Sequence, residues 1–299
     1  MARYDYETAT NIGEANTLEE AIRLSVVNYM HHQLGWSLER CGERVQREID
    51  REIPSGLFSQ LQKDWNWTLE DCRVLDVGAG QGAAVLEALT RGADAHGVEP
   101  GEEFANLARW RLEEHGFKSN RIVNSGGESL PYPDKSFDYI VSLRVLEHVK
   151  DPLPLLEEMY RVLRPGGRAY VACENYLAFR EQHYRIPWLP LLPKSLGSIY
   201  LRTLGRDPTF LQKYVFYTTY PEIWAAATWV GFDNITHRRF IRRVRRSERG
   251  QDIIGILNQI VSLLPEEAGN TLLRAIRHLA DVFRTGVRLH LIRPPNQDE

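Results

Sequence analysis

The amino-acid sequence predicts an α/β fold built on a doubly wound parallel sheet. Two patterns lead there. Between residues 73 and 174, short apolar runs alternate with longer amphipathic segments, the rhythm of strands joined by crossover helices. A glycine-rich turn stands directly after the first of those runs, where such sheets bind ligands.

Taken in order, Arg73–Val77 reads as a buried strand, Ala83–Leu89 as an apolar helix and Asp94–Glu99 as a second strand. A helix over Phe104–His115, closed by Gly116, leads to a third strand at Arg121–Asn124 and a fourth at Phe137–Ser142. Asp151 and Pro152 open a helix expected to run to Arg164, with Leu155, Leu156, Met159 and Leu163 inward. Pro165, Gly166 and Gly167 are expected to stop it before a fifth strand at Arg168–Glu174.

The flanks read differently. Residues 1–70 suggest a helical cap: Asn16 and Thr17 precede Glu19 and Glu20, and Ile22, Val26, Tyr29 and Met30 share a face. Pro54, Ser55 and Gly56 are expected to interrupt it. After residue 175 the alternation breaks. Residues 176–219, with Pro187, Pro190, Pro193 and many aromatics, read as an insertion. A helix near 221–230 and a strand near 232–240 resume the pattern, two helices flank Pro265 within 251–284, and a last strand covers Val287–Ile292. The expected division is a cap over 1–70 and one domain over 71–299, carrying insertions at about 176–219 and 241–285.

Composition narrows the classes. The chain has 299 residues, 43% hydrophobic and 26% charged, with a net charge of −3, so nothing global draws it to nucleic acid. Cys41, Cys72 and Cys173 form neither a metal-ligand spacing nor a disulfide framework, which points to a reducing cytoplasm. The opening Met1–Thr10 segment has no basic region followed by an apolar run, so no signal peptide is read there. No uncharged stretch approaches the roughly 20 apolar residues of a membrane-spanning helix. The sequence does not specify an oligomeric state.

The chemistry concentrates at the strand ends. Asp76, Gly78, Gly80 and Gly82 lie between a strand and a helix, where glycine lets backbone approach a ligand. Glu99, 21 residues beyond Gly78, ends the second strand, where an acid can accept both hydroxyls of a ribose. Gly127 and Glu128 follow the third strand, beside the expected adenine. Together these predict a nucleoside-type site. Each alone has a plain alternative, a tight turn or a solvated acid. Gly78 to Ala83 also satisfies the dinucleotide pattern, so an NAD(P)-dependent oxidoreductase is a rival reading.

The motifs VLDVGAGQG, GVEP, GGESLPYPDKSFDYIVSLRVLEHVKDP and RVLRPGG, across about residues 73–175, resemble the class I S-adenosylmethionine-dependent methyltransferases, particularly those of ubiquinone and menaquinone biosynthesis. The resemblance implies a Rossmann-like seven-stranded sheet with an antiparallel last strand, and S-adenosylmethionine as cofactor. It points to Asp76, Gly78, Ala79 and Gly80 at the methionine end of that cofactor. Glu99 and Pro100 are implied at the ribose and Gly127, Glu128 and Ser129 at the adenine. Leu143 and Arg144 would lie between cofactor and acceptor. A non-catalytic cofactor-binding regulator is a further alternative.

The acceptor is expected to offer oxygen or carbon on a small molecule, a sugar or a lipid-linked intermediate, since Ser142-Leu143-Arg144 replaces the Asn/Asp-Pro-Pro-Tyr motif of many amino-group methyltransferases. His148, Glu181 and His183 are candidate bases. His183 is expected to act in catalysis, under a lid formed by residues 176–195, and His148 in structure. The apolar Ile186–Pro193 run suits either a lid or a lipid-facing wedge, which leaves room for peripheral membrane contact. His31 and His32, adjacent on a helix, point about 100° apart and are not expected to share a metal. No metal is expected from the sequence. Residues 237–249 hold seven arginines and one acid, read as a solvated face or a polyanion-binding segment.

Overall fold

The computed structural model describes residues 12–236, 241, 257 and 260–295. The Thr17 side chain accepts from Glu20 N and caps α1 (Leu18–Val26), as the sequence requires, and a π-helical stretch, Val27–Gln33, continues it. Ser37 caps α2 (Leu38–Ile49) in the same way. Next comes α3 (Glu52–Trp65), which corrects the expected break at Pro54, Ser55 and Gly56. Pro54 falls in the first turn, where backbone N–H groups have no helical acceptor, so it costs no hydrogen bond.

The alternating region forms β1 (Arg73–Val77), α4 (Ala83–Thr90), β2 (Asp94–Val98), α5 (Glu102–Glu114), β3 (Ile122–Val123), β4 (Phe137–Leu143), α6 (Pro152–Val162) and β5 (Leu163–Glu174). A small hairpin, β6 (Arg180–Glu181) and β7 (Ile186–Pro187), precedes α7 (Lys194–Thr203), α8 (Thr209–Tyr214), α9 (Tyr220–Val230) and β8 (Asp233–Asn234). The described chain closes with α10 (Glu266–Val282) and β9 (Gly286–Ile292).

Seven strands form one sheet in the order β3-β2-β1-β4-β5-β9-β8. The first five run parallel, and β9 is antiparallel to both β5 and β8. This is the Rossmann-like sheet the resemblance implied. Three details differ from expectation. Helix α6 ends at Val162, because Leu163 already pairs with Phe137. The register then slips to Tyr139 against Arg168, so Arg164–Gly167 form an irregularity at the strand's start. The strand expected over 232–240 shortens to β8, and Thr236 has turned helical. The arginines of 237–249 and most of the first helix expected before Pro265 lie outside the described residues.

Both sheet faces are covered, which is why the central strands read as continuous apolar runs. Leu155, Met159 and Ile223, from α6 and α9, pack on Leu75, Ile140 and Val171. Phe58, Leu86 and Ala105, from α3, α4 and α5, pack on Val74, Ala95 and Val141 on the other face. Beyond the sheet, α1 and α2 dock on α5 through Ala21, Leu24, Val45 and Leu107. The segment after β5 builds its own cluster around Tyr184, Trp188, Leu201 and Phe210, and Leu34, Tyr29 and Trp36 of the N-terminal segment complete it. Trp36 Nε1 donates to the His183 carbonyl at 2.7 Å and Arg206 donates to the Leu34 carbonyl at 3.2 Å, so the two segments form one roof.

The N-terminal helices are also held by charge. Arg111 on α5 is 2% exposed and pairs with Glu48 of α2 at 3.2 Å, while Arg44 takes the other Glu48 oxygen at 2.9 Å. Removing Glu48 strands a buried guanidinium. Glu48→Ala is therefore expected to cost about 3–5 kcal/mol of stability in denaturant unfolding. A loss below about 1 kcal/mol, the range of an exposed pair, would mean that Arg111 recovers its hydration without Glu48.

Candidate active site

The carboxyl ends of the parallel strands share one edge, and the strand order reverses between β1 and β4, which opens a crevice there. Strand β1 delivers Asp76 to it. The side chain is 4% exposed, and among the described residues nothing pairs with its Oδ1. Burial, reinforced by the charge of Glu99, pushes its carboxyl up to about 7. The turn after β1 folds back on β2, with the N–H groups of Gly78 and Ala79 both donating to the Val98 carbonyl at 2.9 Å. Gly78 and Gly80 adopt φ of 80° and 51°, the region glycine occupies without strain. Their surroundings differ. A Cβ on Gly78 would collide with Val145, whereas one on Gly80 meets nothing within 4 Å and would project into the open crevice.

Glu99 follows β2 and turns its carboxylate back to the glycine turn. It accepts from Gly80 N at 2.8 Å and from Gly101 N at 2.9 Å. Burial raises its pKa, and these two backbone bonds oppose the rise. The Asn124 amide donates to the carbonyls of Glu99 and Pro100 at 2.9 and 3.0 Å, which ties the loops after β2 and β3 together. Gly127 is buried beside this edge, while Pro100, Glu128 and Ser129 are exposed on it.

After β4, Leu143 is half-buried, and exposed Arg144 sits at φ 60°, a left-handed conformation unusual for a side chain of that size. Its N–H donates to the Ala172 carbonyl at 2.6 Å, which anchors the bend. Val145 then meets Gly78, and a short 3-10 turn, Leu146–His148, sends Glu147 inward. Glu147 is 0% exposed, and among the described residues neither of its oxygens has a hydrogen-bond partner.

The roof supplies the opposite wall. Buried Glu181 accepts from the Tyr176 hydroxyl at 3.0 Å and from Tyr184 N at 2.6 Å, and its Oε1 lies 2.9 Å from His183 Nδ1. Burial opposes charging of the His183 ring, but Glu181, with Glu147 and Glu174 beyond it, leaves its pKa raised. His148 Nδ1 lies 2.7 Å from the Tyr214 carbonyl, and burial lowers that ring's pKa. The two rings stand 5.5 Å apart, with Phe210 packed against both. Glu174, at the end of β5, is pushed up to about 7 by burial, with His183 and Arg144 opposing the rise and Glu147 and Glu181 adding to it. Tyr29, from the N-terminal segment, feels Arg144, Glu147, Glu181 and Glu174, so it faces the same place.

Val145 thus lies between two groups of side chains. Asp76, Gly78, Ala79, Gly80 and Glu99 lie on one side, while Glu147, His148 and His183 lie on the other. Sequence reasoning carried Glu147 only within the motif that holds His148, read Tyr29 only as part of a helix face, and assigned Glu174 no role beyond ending a strand. Glu174 was within reach: it ends an apolar strand with an acid, the feature that selected Glu99. His31 is engaged elsewhere, its Nδ1 lying 2.6 Å from the Trp36 carbonyl. A cavity of about 400 Å³ lined by Asp134, Glu157, Tyr160, Arg161, Trp229 and Arg293 lies at the amino ends of the parallel strands, away from this edge.

Residues 75–171 match a family model described as a methyltransferase domain. Demethylmenaquinone methyltransferase of Tropheryma whipplei is 32% identical over 169 residues, covering 52% of this chain and 68% of that protein. Ubiquinone biosynthesis O-methyltransferase of Aliivibrio fischeri is 28% identical over 116 residues, covering 37% of this chain and 50% of that protein. The chain therefore spans half the length of one of these relatives and just over two thirds of the other. A solved structure from Galdieria sulphuraria, described as a candidate sarcosine dimethylglycine methyltransferase, superimposes with a TM-score of 0.50 at 14% identity, covering 90% of this chain and 98% of that one, and so shares the fold. These likenesses set aside the oxidoreductase reading, and the chain belongs to the class I S-adenosylmethionine-dependent methyltransferases.

Proposed function

We propose that the chain transfers the methyl group of S-adenosylmethionine to a small-molecule acceptor, at an oxygen in preference to a carbon. The carrying observation is the meeting of the two half-sites across Val145: the glycine turn with Asp76 and Glu99 on one side, a buried carboxylate and two imidazoles on the other.

The residues fit the cofactor. The buried, unpartnered oxygen of Asp76 suits the ammonium at its methionine end, and the open side of Gly80 admits a ligand against the backbone. Glu99 is placed to accept from the two ribose hydroxyls, with Pro100 beside it. Gly127, Glu128 and Ser129 would border the adenine, and Leu143 and Arg144 the sulfonium end. The bound cofactor supplies a methyl group on a positively charged sulfur. Holding acceptor and methyl in line contributes about 7–11 kcal/mol. An oxygen acceptor must also lose a proton, and the His183 cluster is the enclosed place where it does so.

The demethylmenaquinone and ubiquinone enzymes among the relatives carry quinone names, which supports a quinol hydroxyl on a lipid tail as the acceptor. Of the Ile186–Pro193 run, which suits a lid or a lipid-facing wedge, Trp188 and Leu192 pack into the roof, while Leu189 and Leu191 are exposed, as are Phe179, Leu196 and Ile199 in the flanking sequence. That outer face supports peripheral contact with a membrane holding the acceptor. Among the described residues no helix is long and apolar enough to cross one. With free cysteines at 41, 72 and 173, we place the chain in the cytoplasm.

Three outcomes are expected. Glu99→Ala weakens S-adenosylmethionine binding by about 1–3 kcal/mol in calorimetry, and unchanged affinity removes Glu99 from the site. For Asp76, the raised pKa means that the stability of the neutral form is complete below 3.8 and is lost as pH rises through about 7. An ammonium partner reverses that loss. The thermal shift on adding S-adenosylmethionine should therefore grow from pH 5 to 7.5 and become flat in Asp76→Asn. A slope that survives in the variant assigns the effect to another group. His183→Ala lowers turnover about 10²–10⁴-fold at near-constant cofactor affinity, with a lipid-tailed quinol in vesicles preferred over a short-chain one. Full activity in the variant discards His183, and equal use of both quinols discards the membrane contact.

A further inference from the structure

We infer that Glu147, His148 and His183 bind a first-row divalent metal cation, of the zinc or manganese type. One ligand atom from each residue lies within 4.8 Å of the other two. Drawing them in by about an ångström reaches the roughly 2.0–2.2 Å bonds such an ion makes to imidazole nitrogen and carboxylate oxygen.

The hydrogen bonds around the three residues carry the argument. Both imidazoles use Nδ1 toward an outer acceptor: His183 toward Glu181 at 2.9 Å and His148 toward the Tyr214 carbonyl at 2.7 Å. A ring that donates from Nδ1 presents a bare lone pair at Nε2 when neutral. Metal-ligating histidines are held in this way, by a carboxylate or a backbone carbonyl behind the ring. Glu147 adds a carboxylate, which only accepts. With both rings neutral, the centre of the cluster is lined by acceptors alone, and a cation there competes with the proton that would otherwise sit on His183 Nε2.

Burial makes that arrangement costly without a cation. Glu147 is 0% exposed and His183 is 6% exposed, and among the described residues the Glu147 oxygens and His183 Nε2 have no hydrogen-bond partner. Groups like these cost free energy unless something positive or protic sits between them. The surroundings favour a cation. Buried Glu181 lies directly behind His183, and Glu174 lies nearby, while Arg144 is exposed at the rim. Two imidazoles and one carboxylate suit zinc or manganese better than the all-oxygen preference of magnesium or calcium. The sequence concealed the site because its ligands come from two segments 35 residues apart, neither with a metal-binding spacing.

Three protein ligands leave a coordination position open toward the acceptor. For the acceptor's identity this inference rests on the function proposed above. A hydroxyl bound to the cation gives its proton to solvent water. The resulting oxyanion forms the new O–CH₃ bond as the S–CH₃ bond breaks, and the electron pair leaves with sulfur as a neutral thioether. His183 then serves as a ligand instead of taking the proton itself.

The test uses the full chain, stripped with chelator, desalted and titrated with zinc chloride and with manganese chloride by calorimetry. Saturable binding of one ion per chain is expected for at least one metal. Glu147→Gln and His148→Ala should each weaken it more than about 10-fold, and Glu181→Gln, behind the ligand, about 10–100-fold. His31→Ala should bind as the parent does. Circular dichroism and S-adenosylmethionine affinity confirm folding, and His148→Ala, at the least enclosed ligand, guards against a core variant that fails to fold. Absence of stoichiometric binding in the parent overturns the site, as does full affinity in both ligand variants. One-to-one metal binding without methyl transfer to any hydroxyl acceptor supports the site and sinks the proposed function. Full turnover by the stripped parent, together with loss of turnover in His183→Ala, returns His183 to the role of base and overturns the metal's part in catalysis.

Discussion

The site depends on the approach of Gly78 to Val145. The strand order reverses between β1 and β4, so the segments leaving them diverge and a crevice opens. Where they touch, Val145 occupies the space a Gly78 side chain would need. That contact sets the distance between the glycine turn and the 3-10 turn that carries Glu147 inward. Methyl transfer needs donor and acceptor in line, so under the proposed function this spacing bears directly on the chemistry.

The roof is the second constraint. The N-terminal helices cannot bury their apolar faces alone, and neither can the segment after β5. The helices α1 and α2 use α5 for most of theirs, and Tyr29, Leu34 and Trp36 join the two segments by filling a cluster built on Tyr184, Trp188 and Phe210. The arrangement places His183 deep, because its backbone carbonyl receives Trp36 Nε1 while its ring is held by Glu181. Gln81 of the glycine turn also donates to Ser25 Oγ at 2.9 Å, so the cofactor edge touches the same roof. Burial that would be routine in a hydrophobic core here surrounds acids and imidazoles, and their displaced pKa values follow from it.

Local chemistry made much of the fold legible. Strands β1 to β5 are covered on both faces, so each had to be a short apolar run, and the helices between them had to carry a stripe. Thr17 and Asp151 announced helix starts because a cap is a local device: each accepts from a backbone N–H two or three residues on. Punctuation misled where position decides the meaning. Pro54 read as a stop but sits in a first turn, and the Pro165-Gly166-Gly167 tract read as a boundary but became an irregularity inside the start of β5.

The sequence by itself determined that Asp76, the glycine turn and Glu99 would share one strand-end edge. Asp76, the glycine turn and Glu99 lie on one βαβ unit, where connections are short and the order along the chain is the order in space. The acceptor half was decided only in three dimensions. Glu147 and His148 follow β4, Glu181 and His183 follow β5, and Tyr29 comes from a helix more than a hundred residues earlier. No local periodicity joins such positions. They meet because two amphipathic segments, each too small to hold a core, had to pack on one another above the carboxyl edge of the sheet.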